Sequence, residues 1–307
     1  MSSTAAPISG WYSAGPVVGA LLRSMALSGL SGSFVEVGVH HGKSFVDTLK
    51  FVRPGFLEPS VALDVFDDQS KNLDKSGKGS YSIFMGHLHA AKTALALGDG
   101  AVRVFQRSSL ELTPGDVHNF TGGKRAILFS VDACHNYDCT LNDLHLAYKS
   151  LHPRGLLLLD DYWNDGWPGV SAGLHRFLVE ERGAVQVAYG KNKVFLVPWG
   201  AAGFYWEAIK RMCGKVCVKA TDPQFCVAEE KTGCVLHKRC APWHPVTLGD
   251  LIAIGPTFLP APSGELTIAP SSDSSLAHRK RGGRPGRMGM RHSLATAEGE
   301  KKSFPWG

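Results

Sequence analysis

FVEVGVHHGKS, residues 34–44, is the stretch on which the fold turns. A short apolar run leads into a turn with glycines at 38 and 42 and then into Gly-Lys-Ser, which raises the question of a triphosphate-binding loop. Such a loop reads G-x-x-x-x-G-K-[ST], because its backbone N–H groups must wrap the phosphates. That spacing requires glycine at position 37, which is Val; Gly38 comes one residue late. A one-residue deletion in a phosphate-wrapping loop is not a small change, so the nucleoside triphosphate reading is weak. The dinucleotide fingerprint G-x-G-x-x-G is absent as well, since position 40 is His, and hydride transfer is demoted with it. The turn is left for a different ligand.

Outward from this turn, apolar runs alternate with helical spacing. Residues 17–30 read as a helix, 34–37 as a strand, and the segment from His40 onward as a helix ended by Pro54 and Gly55. Strands follow at 60–66, 101–105, 126–132 and 155–161, with helices at 80–97, 139–151 and 170–183. AILFSVD (126–132) is nearly all apolar, as a strand buried on both faces must be. AVQVAY and KVFLVPW, separated by Gly190, Lys191 and Asn192, read as an antiparallel hairpin at the edge. The expected fold is α/β: an open, mostly parallel seven-stranded sheet with an antiparallel C-terminal hairpin.

The chain has 307 residues, 44 % hydrophobic and 20 % charged, enough for one ample core. It contains no run of eighteen apolar residues, so no membrane-spanning helix is expected. The N-terminus lacks early positive charge and carries Arg23 within its apolar stretch, which makes a poor signal peptide; a cytoplasmic protein is expected. Of the formal charge of +6, residues 263–307 supply four, with eight Lys/Arg against four Asp/Glu. That basic, glycine-rich tail reads as disordered and solvated, and no aromatic-interleaved patch supports nucleic-acid binding. Five cysteines (213, 217, 226, 234 and 240) cluster with His237 and His244; zinc, disulfides and free thiols all remain open, because paired C-x-x-C knuckles are absent. The expected organisation is an N-terminal helical segment (1–32), a cofactor-binding catalytic domain (33–200), a cysteine-rich extension (201–262) and the tail (263–307).

Ligands of open α/β sheets bind beyond the carboxyl ends of the strands. Every expected strand end here is polar: EVGVHHGKS after the first, Asp64 in the second, QRSS after the third, DACHNY after the fourth, Asp160 and Asp161 after the fifth. Glu36 and Asp64 are placed to accept hydrogen bonds from a ribose or an amino group. Gly38 and Gly42 allow close backbone approach, although packing at a helix start explains them equally. Asp132, Asp160 and Asp161 on neighbouring strands would repel one another unless a cation intervened. All-oxygen ligation favours magnesium, calcium or manganese over zinc, and such an ion would lower the pKa of a substrate hydroxyl. Helix capping and solvent exposure are the plainer roles for these carboxylates. His135, three residues beyond Asp132, is a candidate base, or else a surface histidine. Tyr162, Trp163 and Trp167 form a pocket rim or pack in the core.

From Phe34 to Val197 the sequence resembles class I S-adenosylmethionine (SAM)-dependent methyltransferases, in particular small-molecule O-methyltransferases related to macrocin O-methyltransferase and, more distantly, catechol O-methyltransferase. EVGVHHGKS is similar to their first motif, E-x-G-x-x-x-G-x-S, and DACHNYDCTLNDLHLAYKSLHPRGLLLLDDYW to their D-G-x-H-x-Y, D-L and P-G-G-x-x-x-x-D-D-Y motifs. The resemblance implies a Rossmann-like methyltransferase fold with SAM held by Glu36, Gly38, His40, Gly42, Ser44, Asp64, Ser108 and Asp132. It implies Mg2+ on Asp132, Asp160 and Asp161, with catalysis by His135, Asp132 and Asp161. Ala133, Cys134 and Arg154 depart from the motifs without removing a proposed ligand. The expected reaction is methyl transfer to a hydroxyl of a sugar or natural product. The alternatives are a relative that assists hydroxylation and a cofactor-binding scaffold that recruits a protein or RNA. The hairpin edge and first helix offer surfaces for a homodimer.

Overall fold

The structure, a computed structural model, describes residues 15–51, 56–57, 59–190, 192–216, 227–229, 233–235 and 252–253. Its apolar runs form strands covered on both faces. β1 (Ser33–Val37) and β4 (Ala126–Val131) are buried at every residue and lie side by side. β2 (Ser60–Asp64) and β3 (Val102–Gln106) extend the sheet beyond β1, and β5 (Leu151–Leu159) extends it beyond β4, all parallel. Past β5 the direction reverses. β7 (Lys193–Pro198) pairs antiparallel with β5 and with β6 (Ala184–Gly190), the expected edge hairpin.

Helices close both faces. Alternate residues of β5 show the division: Leu156 and Leu158 join one core layer, Leu157 and Leu159 the other. The first layer is completed by α1 (Gly15–Leu27), α2 (Lys43–Leu49), α3 (Tyr81–Ala94) and α7 (Ala202–Val216). The second belongs to α4 (Pro114–Phe120), α5 (Tyr137–Ser150) and α6 (Pro168–Glu180). Burying each Leu or Phe side chain in these layers stabilises the fold by about 1.5–3 kcal/mol. α1 contributes Val18, Leu21, Leu22 and Met25 to the same core as β1, so the N-terminal helix is built into the domain.

Three features go beyond the sequence reading. α4 begins at a reciprocal cap in which Asp116 N–H donates to Thr113 Oγ1 (3.2 Å) and Thr113 N–H donates to Asp116 Oδ2 (2.8 Å). α7 continues regular structure past Ala201, where the strand–helix rhythm was expected to stop. β8 (Val227–Glu229) and β9 (Gly233–Val235) form a separate antiparallel pair, and β10 (Ile252–Ala253) adds an eighth strand beside β6. The basic tail lies outside the described residues, as do Cys217, Cys226, Cys240, His237 and His244, on which the zinc and disulfide expectations for the cysteine-rich extension depend.

No helix among the described residues is long and apolar enough to cross a membrane. From β1 the chain moves outward to β3 and returns on the other side of β1 as β4. The strand order therefore switches between β1 and β4, which is where a sheet of this kind opens a crevice for ligands.

Candidate active site

Backbone hydrogen bonds line up the strand ends. Gly38 N–H donates to Leu63 O (2.9 Å), Asp132 N–H to Val37 O (3.0 Å), Asp160 N–H to Val131 O (2.9 Å) and Arg107 N–H to Asp64 O (2.9 Å). The residues singled out by sequence thus form one row across five parallel strands. Gly38, at φ +81°, stands so close to its neighbour that an added Cβ would fall 1.7 Å from Asp132 O. A Cβ on Gly42, at φ +88°, would meet the Phe84 ring at 2.7 Å. Protein, rather than ligand, fills the space beside both glycines, which favours the packing explanation of the turn.

On the β1–β2 side, Asp64 is the organising group. It accepts hydrogen bonds from His40 N–H (2.6 Å) and Phe66 N–H (2.5 Å). Both donors have positive φ, 54° and 46°, an uncommon backbone state for such residues that the carboxylate helps to hold. Burial raises the pKa of Asp64 against the pull of those two donors. Glu36 is fully buried, and neither carboxylate oxygen has a hydrogen-bond partner among the described residues. Burial and then Asp132 push its pKa well above the usual range, with Lys193 partly offsetting them. A buried acceptor without a donor is costly; the ammonium of an amino-acid-bearing cofactor is the kind of group that would satisfy it. Ser44 lies in the first turn of α2, and Ser108 is buried two residues beyond β3.

On the β4–β5 side the expected trio of carboxylates divides. Asp132, Asp161 and His135 bring one ligating atom each to within 4.8 Å of one another. Asp160 instead forms an ion pair with Lys193, whose side chain is 5 % exposed. Consecutive residues leaving a strand point in opposite directions, and Asp161 adopts φ 57° and receives bonds from Asn192 Nδ2 (2.7 Å) and Asn164 Nδ2 (3.2 Å). Burial, then Asp132, pushes Asp160 up to about 7 despite Lys193. Burial would raise Asp161 too, but its hydrogen bonds with His135 and the two asparagines hold it below its usual value.

His135 joins the two carboxylates. Nε2 lies 3.1 Å from Asp161 and 3.9 Å from Asp132. Trp167 stacks on the ring at 4.6 Å between centroids, so Trp167 lines the site, while Trp163 is 58 % exposed and packs on Tyr162. Burial would depress the imidazole, but bonds to Asp132, Asp161 and Asp74 prevail and raise it to about 10. The two carboxylates are oxygen donors of the kind that magnesium or manganese takes, and the imidazole stands beside them.

Sequence reasoning missed Asp74, Lys193, Asn164 and Asn192 as members of the site. It also missed the Cys134–Cys139 disulfide, which ties the loop carrying His135 to the first turn of α5. A C-x-x-x-x-C spacing inside the fourth strand-end motif was its only signal.

Residues 35–162 match the family profile described as a methyltransferase domain. No curated protein sequence matches the chain. Among solved structures it is similar to the calicheamicin-biosynthesis TDP-rhamnose 3′-O-methyltransferase CalS11, at 17 % identity over 61 % of this chain and 79 % of that one, with a TM-score of 0.47. It is similar also to the O-methyltransferase TomG from Streptomyces achromogenes, solved with SAM, at 16 % identity over 59 % and 78 % with a TM-score of 0.42. A Bacillus cereus O-methyltransferase is similar at 14 % identity over 60 % and 81 %, with a TM-score of 0.41. At such scores these likenesses carry no argument about this chain. The strand-end row lies within residues 35–162, the segment that matches the profile.

Proposed function

We propose that this protein is a SAM-dependent O-methyltransferase of the small-molecule group related to macrocin O-methyltransferase, and that it uses a divalent cation. The observation that carries the reading is the juxtaposition across the β1–β4 switch. The Glu36, His40 and Asp64 turn lies on one side, and Asp132, His135 and Asp161 lie on the other. One half suits a nucleoside that carries an amino acid; the other suits a hydroxyl that must lose its proton.

In this reading Asp64 accepts the ribose hydroxyls and Glu36 faces the cofactor's ammonium, while Gly38, His40, Gly42, Ser44 and Ser108 shape the cleft around them. Asp132 and Asp161 would hold the cation, with His135 Nε2 facing them as the base, and Asp160 stays with Lys193. Magnesium in that position would balance the two carboxylates and acidify an acceptor hydroxyl. His135 Nε2 would take the proton of the acceptor hydroxyl; SAM, when bound, would supply the methyl group to that oxygen and leave as the neutral thioether. Because positive charge leaves sulfur in this step, alignment and exclusion of water dominate the rate. Trp167, Tyr162 and Trp163 offer ring faces to a sugar or an aromatic acceptor.

Transfer of a labelled methyl group from SAM to a panel of hydroxylated sugars and natural products, with and without Mg2+, tests the reading. Label in at least one acceptor, lost with EDTA, is the expected result. SAM and metal binding without transfer to any acceptor would favour a relative that assists another reaction.

A further inference from the structure

The segment between β2 and α3 crosses the strand ends. Near its middle, Asp74 lies 61 residues from His135 in sequence but against it in space. Asp74 Oδ2 accepts from His135 N–H (2.7 Å) and from His135 Nδ1 (2.6 Å). Its other oxygen accepts from Ser76 N–H (2.9 Å) and Ser76 Oγ (2.8 Å). The carboxylate is only 2 % exposed, so these bonds are shielded from competing water. Ser76 Oγ also lies 3.0 Å from His135 Nδ1.

These contacts leave the imidazole no freedom. Trp167 covers one ring face, Asp74 holds Nδ1 and the adjacent main-chain N–H together, and Nε2 faces Asp161 and Asp132. Whether the ring is neutral or charged, Nδ1 is the nitrogen that keeps its hydrogen. Nε2 is then the nitrogen presented to the site. A carboxylate behind a histidine of such a site fixes the tautomer and ring orientation and raises the ring's basicity.

We propose that Asp74 is the positioning residue of this site: through Nδ1–H and the His135 main-chain N–H it aims Nε2 at the space between Asp132 and Asp161. The same segment places Gly77 beside the His40 ring and Gly79 beside Asp64, where an added Cβ would lie 3.4 Å and 3.1 Å away. Asp74 therefore ties the nucleoside side of the crevice to the histidine side through one stretch of chain. The metal part of this inference rests on the function proposed above; the aiming of the ring does not.

The test uses the full chain labelled with 15N-histidine, as wild type, Asp74→Asn and Lys71→Ala. Lys71 loosens the same segment by losing its ion pair with Glu111 at 2.8 Å and leaves Asp74 in place. The expected spectrum shows a downfield His135 Nδ1 proton that exchanges slowly with water, present in wild type and Lys71→Ala and absent in Asp74→Asn. Calorimetric titration with Mn2+ is expected to show roughly 10–100-fold weaker binding for Asp74→Asn, with SAM affinity within about twofold of wild type. A His135 Nδ1 proton that persists in Asp74→Asn, or that is missing from wild type, would overturn the proposal, as would unchanged Mn2+ affinity in that variant. Wild-type protein that bound neither SAM nor Mn2+ would defeat the proposed function, and the proton signal would still decide the role of Asp74.

Discussion

Asp160 and Asp161 are adjacent in the chain but belong to different regions of the crevice. One region, the floor, comprises Lys193 and Glu36, both buried, and Asp160, which is ion-paired with Lys193. The mouth comprises Asp132, His135, Asp161 and Asp74, where every carboxylate has several hydrogen-bond donors or a neighbouring imidazole. In the floor, burial dominates and pushes carboxyl pKa values up; in the mouth, hydrogen bonds prevail and hold Asp161 and Asp74 down. The difference teaches that proximity to a site does not assign a role. Asp160 is neutralised within the protein by a buried lysine, whereas Asp161, held by side-chain amides on a turn, stands beside Asp132 and His135.

Removing the floor's cation should have the largest effect. Lys193→Ala leaves Asp160 buried without its ion-pair partner, which costs about 3–5 kcal/mol; urea unfolding is expected to show that loss, and a smaller one of under 1 kcal/mol would dissolve the distinction. Asp143, on α5, sharpens the comparison because it is buried with one orphaned oxygen, and burial raises it to about 6. Its folded pKa exceeds the unfolded value, so the native state binds more protons and stability falls as pH rises from about 4 to 6. The fall reaches about 3 kcal/mol at most, and Asp143→Asn should flatten that slope in unfolding curves measured across this range.

In the mouth, Asp161→Asn should unfold near wild type yet lose about 100-fold in kcat/KM, or about 2.7 kcal/mol, together with Mn2+ affinity. Asp160→Asn should show the reverse bias, with stability affected before metal binding. Reduction of Cys134–Cys139 is the smallest effect, about 2 kcal/mol for so short a loop by chain-entropy reasoning. Thermal melts with and without a reductant, with Cys139→Ser as the control, measure it.

The sheet was legible in the sequence because its central strands are apolar on both faces, and a run such as AILFSV admits little else. The strand-end residues were legible because open α/β sheets concentrate chemistry there. α4 was missed although Thr113-Pro114-Gly115-Asp116 carries its capping box, because a seven-residue helix shows too few turns of periodicity. Asp74 was illegible in a different way. It lies in a polar segment without periodic pattern, and only the folded chain brings it 61 residues back to His135. The opposite fates of Asp160 and Asp161 depend on one residue's backbone entering the left-handed region, which a pair of identical side chains does not announce.

The central claim is that the crevice between β1 and β4 holds SAM, with Asp64 as its anchor. Calorimetric titration of SAM into wild type and Asp64→Asn tests it most directly. The account predicts saturable one-site binding to wild type and at least roughly tenfold weaker binding to the variant, on the loss of one charge-assisted hydrogen bond of about 1.5–3 kcal/mol. Folded wild-type protein that takes up no SAM, or a variant that binds it as tightly as wild type, would contradict it.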